Sequence, residues 1–136
     1  MLNPSTADAS KDDPTIRKCV GFSSQWGCGR IGVVNLYAFR TKSPKVLYKA
    51  RVAGTNVVGP KNLSYVAGQL DDVNLAHVVC AWGANADPSD SSTMIEFMQD
   101  QLQSAPQCLG FTKDGYPKHP LTLAYKTPLE PVLVNT

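Results

Sequence analysis

At 136 residues the chain is long enough to bury the core of one domain, and 43% hydrophobic against 18% charged residues is the balance of an ordinary globular protein. No apolar run approaches the ~20 residues of a membrane span, and the opening lacks the basic-then-apolar pattern of a secretory leader. These features predict a cytoplasmic protein with no membrane partner.

The net charge of +2 hides an uneven distribution: nine basic residues and no acidic one lie between Arg17 and Lys61, then seven acidic residues face Lys113 alone from Asp71 to Asp114. Clustered Lys and Arg gain from phosphate neutralisation and counterion release, so the 17–61 segment is a candidate surface for nucleic acid or a nucleotide. Solvated helix faces account for the same pattern. Cys19, Cys28, Cys80 and Cys108 form no C-x-x-C pair, and His77 and His119 stand far apart, so neither a zinc site nor any other cofactor is predicted. Cys80 and Cys108 sit in apolar runs and read as core.

The opening, MLNPSTADASKDD, is a polar loop with almost no element before it. Asp13-Pro14 then marks a helix start, an N-cap followed by proline at the first helical position. Ile16, Cys19, Val20 and Trp26 recur at helical spacing until Gly27 to Gly29 end the run. IGVVNLYAF, residues 31–39, is apolar on both faces and predicts a strand covered on both sides. A short helix follows Ser43-Pro44, and a second is predicted from Pro60 to about Leu70. HVVCAWG gives another buried strand. Thr93 and Glu96 have capping-box spacing ahead of Met94, Phe97, Met98 and Leu102, which predicts a helix from 93 to about 103. QCLGFT gives a short strand, and the proline-rich tail after Tyr116 suits an irregular wrap with one edge strand.

Strands alternating with helices predict a single α/β domain over residues 1–136, three layers αβα around a mostly parallel sheet of about four strands. In MLNPSTADA only Met1 and Leu2 read as strand, so the N-P-S-T-A-D loop is expected to follow a first strand that is truncated in this chain.

In an open α/β sheet ligands bind beyond the carboxyl ends of the strands. The loops expected there are all polar. They offer Asn3, Ser5, Thr6 and Asp8 in the first loop, Asn35 and Arg40 around the second strand, Trp82 and Gly83 after the third, and Lys113 and His119 after the fourth. Simpler roles exist for several. Asn3-Pro4-Ser5 also makes a plain turn, Asp8 a solvated loop carboxylate, Trp82 a core residue and His119 a surface histidine. Asn35 is the most informative, because an amide inside an apolar strand needs partners.

MLNPSTADA, DDPTIRKC, VVNLYAFR, VGPKN, AWG and LGFTKDGYPKHPL, in this order, resemble the bacterial and phage family called domain of unknown function 1643. Members usually carry an apolar strand ahead of the M-L-N-P loop. They show G-P-x-N-D where this chain has Gly59-Pro60-Lys61-Asn62-Leu63, which leaves Asn62 as the matching polar residue. The order of features is also similar to the uracil-DNA glycosylase superfamily: a proline-containing loop after the first strand, an asparagine ending the second, a strand closing in W-G, and a late H-P motif.

That similarity implies a metal-free base- or nucleotide-handling enzyme acting on nucleic acid, possible chemistry being N-glycosidic hydrolysis. Asn35 would bond a base edge, Asn3 or Asp8 would position water, and His119 would stabilise charge on the leaving base. Departures are a shorter first motif and Pro120-Leu121 after His119, in place of a serine-bearing wedge. Two other readings stand beside it: a non-catalytic nucleic-acid or nucleotide binding module on the same rim, and a hydrolase with Ser5 as nucleophile and His119 as base. Oligomeric state is left open by the sequence.

Overall fold

The computed structural model describes residues 1–2, 13–39, 43–59 and 61–133. Among them three of the four α-helices start where proline and a short polar cap coincide. Asp13 accepts from the amides of Thr15 (2.8 Å) and Ile16 (3.4 Å) to open α1, Pro14–Gln25. Ser43 accepts from Val46 to open α2, Pro44–Val52. Helix α3, Asn62–Leu70, has no side-chain cap. Helix α4, Pro88–Leu102, repeats the first signature: Asp87 accepts from Ser89 and Asp90, with Pro88 at the first helical position. It begins five residues before the Thr93 capping box, which lies inside the helix. Asp87-Pro88 supplies an earlier nucleation point, and the apolar stripe read from the sequence is only its later half.

Three two-residue strands form a mixed sheet in the order β1-β2-β3. Val79–Cys80 (β1) pairs in parallel with Gln107–Cys108 (β2), and β2 pairs antiparallel with Glu130–Pro131 (β3) from the tail. The chain is therefore α/β with a small mixed sheet. HVVCAWG and QCLGFT supply strands as the pattern implies, and the tail supplies the edge.

Residues 31–39 depart from expectation. They carry no regular strand, and Ile31, Gly32 and Val33 are exposed instead of covered. Their hydrogen bonds explain why. The Met1 nitrogen donates to the Val34 carbonyl (3.0 Å) and the Leu36 amide donates to the Met1 carbonyl (2.9 Å), the bracketing pattern of parallel strands. Ala38 and Phe39 donate to Val58 and Val57. Residues 31–33 have no main-chain partner among the described residues, so a ladder cannot extend through them.

The core gathers Leu36, Tyr37, Leu47, Val66, Trp82, Met94, Met98 and Cys108, with α3 against α4. Burial pushes the Cys80 thiol up to about 12 and raises Cys108 as well, so both stay protonated. No helix of the described residues is long and apolar enough to cross a membrane.

One polar network ties the elements together. The buried Tyr37 hydroxyl donates to Asp90 (2.7 Å) and accepts from the Asp87 amide (3.0 Å). Arg51 of α2 meets both carboxylates, Asp87 at 3.1 Å and Asp90 at 3.2 Å. Burial and the neighbouring Asp90 raise the Tyr37 pKa, so the phenol remains a donor. Asp87 titrates below its ordinary range: burial opposes this, but bonds from the Asp90 and Ser89 amides, with Arg51 nearby, outweigh it. Tyr37→Phe leaves the Asp87 amide and Asp90 without this partner, and it should lower unfolding stability by about 1–3 kcal/mol in urea titration. Because the folded Asp87 holds its proton less tightly than the unfolded one, its contribution is present above pH ~4 and lost as pH falls below that.

Candidate functional site

Strands β1 and β2 are parallel, so their carboxyl ends open on one rim. Beyond β2 the chain folds back on itself: Phe111 bridges Pro117, the Thr112 amide donates to the Tyr116 carbonyl (2.7 Å), and the Lys118 amide to the Gly110 carbonyl (2.9 Å). This turn-back delivers Pro117 to the loop after β1, where the Gly83 amide donates to its carbonyl (2.9 Å). Gly83 has φ +77°, and a Cβ there would lie 3.4 Å from the Cβ of His119. A side chain would be strained by the backbone and would press on the histidine.

His119 caps a short 3-10 turn, Pro120–Thr122, and the Leu121 amide donates to its Nδ1 (3.2 Å). In a neutral ring the proton then sits on Nε2, which has no partner among the described residues. Burial lowers the His119 pKa; the Met1 ammonium lowers it further, and Asp13 opposes both. The Met1 ammonium and Asp13, the described residues on either side of 3–12, thus both act on its charge.

Asn35 lies alongside Met1 in the parallel pairing, and its carbonyl accepts from the Asn62 side-chain amide (2.9 Å), which also reaches the Leu36 carbonyl (3.2 Å). Asn62 holds the main chain that carries Asn35. The Asn35 side-chain amide makes no hydrogen bond among the described residues, and Asn35 lines, with Trp82, a cavity of about 1000 Å3.

Of the residues read from the sequence, the structure brings together Gly83 with His119 and Asn35 with Asn62, and Met1 pairs alongside Asn35. Trp82 is fixed in the core, its indole N–H donating to the buried Ser91 hydroxyl (2.9 Å), so its polar tip is used internally. Lys113 is exposed at the tip of the turn-back, away from any ion pair among the described residues. Asn3, Ser5, Thr6, Asp8 and Arg40 lie outside the described residues. No group of three or more His, Cys, Asp or Glu side chains is placed to hold a metal ion among the described residues.

The basic segment is partly engaged. Arg30 pairs with Asp72 (3.2 Å), Arg51 with Asp87 and Asp90, and the Lys18 ammonium lies 4.1 Å from the centre of the Tyr125 ring. Lys45, Lys49 and Lys61 are exposed, and Lys45 and Lys49 share one face of α2 at i, i+4.

A family model described as Protein of unknown function (DUF1643) matches residues 1–121. The chain belongs to the DUF1643 family. No curated protein and no solved structure matches it. The matched span of this DUF1643 member takes in every rim residue above, from Met1 through Gly83 to His119. The residues that sequence reasoning missed are Tyr37, Arg51, Asp87 and Asp90, whose partners are distant in sequence; only Asp87-Pro88 left a local signal.

Gly83→Ala should cost about 1–2 kcal/mol from its left-handed backbone alone and should shift the His119 ring resonances in NMR spectra. His119 binds a proton more weakly folded than unfolded. Its contribution is intact above its ordinary 6.5 and is lost as pH falls through 6.5 towards the lower folded value. Melting curves between pH 7.5 and 5 should slope accordingly, and His119→Gln should flatten them.

Proposed function

We propose that the chain handles a nucleobase or nucleotide at this rim, as a glycosylase-like N-glycosidic hydrolase acting on nucleic acid. The observation that carries the reading is His119. Its Nδ1 is occupied by the Leu121 amide, its proton is kept on Nε2, and burial holds the ring neutral beside a polar rim. A neutral N–H donor suits an oxygen that gains negative charge, since it stabilises the charge without first giving up a proton. In the proposed step water attacks the sugar carbon, the bond to the base breaks, and the electron pair leaves with the base. His119 Nε2–H donates to the base oxygen, and Asn35 bonds its edge. Asn3 or Asp8 positions the water, and the proton it loses goes to solvent.

The same geometry weakens the serine-hydrolase reading. A histidine base needs Nε2 free to take a proton, with Nδ1–H held by an orienting acid. Here Nδ1 accepts, and Asp13 is spent on the α1 amides. The lack of an acid bonded to His119 among the described residues is also what favours the second reading, a binding module that recognises the base without cleaving it.

Binding of labelled single-stranded and duplex DNA, titrated with salt, separates these readings. The proposal expects affinity to fall steeply with salt, and Lys45→Glu with Lys49→Glu to flatten the slope by up to about 2 in log units. Asn35→Ala should weaken binding, and His119→Gln should leave binding intact while slowing base release by about 100-fold or more. Binding without base release from any modified or normal base points to the module. No binding at low salt contradicts both.

A further inference from the structure

Helix α2 turns one face to the core and leaves the other open. At about 100° per residue, Lys45, Tyr48, Lys49 and Val52 fall within an arc of roughly 100°, and the buried Leu47 lies opposite them. Tyr48 is 67% exposed and Val52 68%. Neither the Tyr48 ring and hydroxyl nor the ammonium groups of Lys45 and Lys49 meet a partner among the described residues.

The charge of this face is unbalanced within the fold. Helix α2 has no acidic residue in its first turn, where the helix dipole favours a negative charge, and Lys45 stands there instead. Of the three basic residues of α2, only Arg51 meets acids among the described residues, Asp87 at 3.1 Å and Asp90 at 3.2 Å. That contact sets α2 beside the segment leaving β1 for α4, while the two lysines point to an anion from outside the chain.

The chemistry of the face narrows that partner. A second copy of the chain would set lysine against lysine across a two-fold interface. An acidic peptide would match the charge but offer the tyrosine ring no flat surface. A single strand of nucleic acid matches both: phosphates meet ammonium groups carried about 6 Å apart along the axis, and an unpaired base covers the ring beside them. A duplex keeps its bases paired and stacked, so it offers phosphates alone.

We infer that the face of α2 formed by Lys45, Tyr48, Lys49 and Val52 is a docking platform for single-stranded nucleic acid. Tyr48 stacks on one unpaired base, Val52 extends the apolar surface under it, and the two lysines hold neighbouring phosphates. The assignment rests on the proposal that nucleic acid is the partner, and it adds that the strand is unpaired and where it lies.

The test measures binding of the full chain, at low salt, to a fluorescent thymidine decamer, to the same decamer with abasic sites in place of its bases, and to a duplex of equal length. Tyr48→Ala should weaken binding of the intact strand by about tenfold, and Tyr48→Phe, which keeps the ring, by less than about twofold. Tyr48→Ala should leave binding of the abasic strand and of the duplex unchanged, since neither offers an unpaired base. Because the side chain is exposed, the melting temperature should not move. Equal loss of affinity for intact and abasic strands overturns the proposal, as does equal competition by a polyglutamate peptide of matching charge, which would mark simple charge attraction. Self-association through Tyr48 that excludes the strand would also overturn it, by making a second copy the occupant. An intact strand that binds equally well to Tyr48→Ala overturns this proposal alone; absence of binding to any strand or duplex overturns it together with the nucleic-acid reading.

Discussion

The rest of the structure depends on a pairing made by one residue. Met1 donates to Val34 and accepts from Leu36, which sets it alongside a long apolar run that forms no regular strand among the described residues. From that register follow the position of Asn35, the hold of Asn62 on the main chain, and the proximity of Met1 to His119. Beside it, the Tyr37 amide donates to the Leu2 carbonyl and Asn62 holds the Asn35 and Leu36 carbonyls, while Ala38 and Phe39 are anchored to the segment ahead of α3.

A second constraint works at the opposite edge of the core. Tyr37, Arg51, Asp87 and Asp90 bring together the end of the apolar run, the last turn of α2 and the first turn of α4. The Asp87 carboxylate accepts from the Ser89 and Asp90 amides of α4 and meets Arg51, while the Asp90 carboxylate accepts from the Tyr37 hydroxyl and Arg51. Arg51 is substantially exposed, so the network fixes geometry more than it adds ion-pair energy.

Helices were legible wherever capping chemistry is local. Asp13-Pro14 and Ser43-Pro44 read correctly from sequence, and Asp87-Pro88 carries the same information although the apolar stripe drew attention to Thr93. Strands were legible as apolar runs but not as ladders, since a ladder depends on what lies alongside. HVVCAWG and QCLGFT found each other, whereas 31–33 have no main-chain partner among the described residues. In the site, Asn35 was singled out because an amide in an apolar run needs a partner, yet it is its carbonyl that Asn62 holds. The His119 tautomer could not be read from sequence, because it depends on one backbone amide two residues on. The uneven charge along the chain was plain, but its use was not: Arg30, Arg51 and Lys18 turn to acids and an aromatic ring within the fold.

Residue-resolved amide hydrogen exchange of the chain alone tests the Met1 register and the open run beside it most directly. Leu36, Tyr37, Ala38 and Phe39 should exchange slowly, while Ile31, Gly32 and Val33 exchange nearly as fast as an unfolded peptide. Uniform protection from 31 to 39 would mean that a partner already lies along the run. Uniformly fast exchange would mean that Met1 and Leu2 do not hold it, and either result would contradict the account.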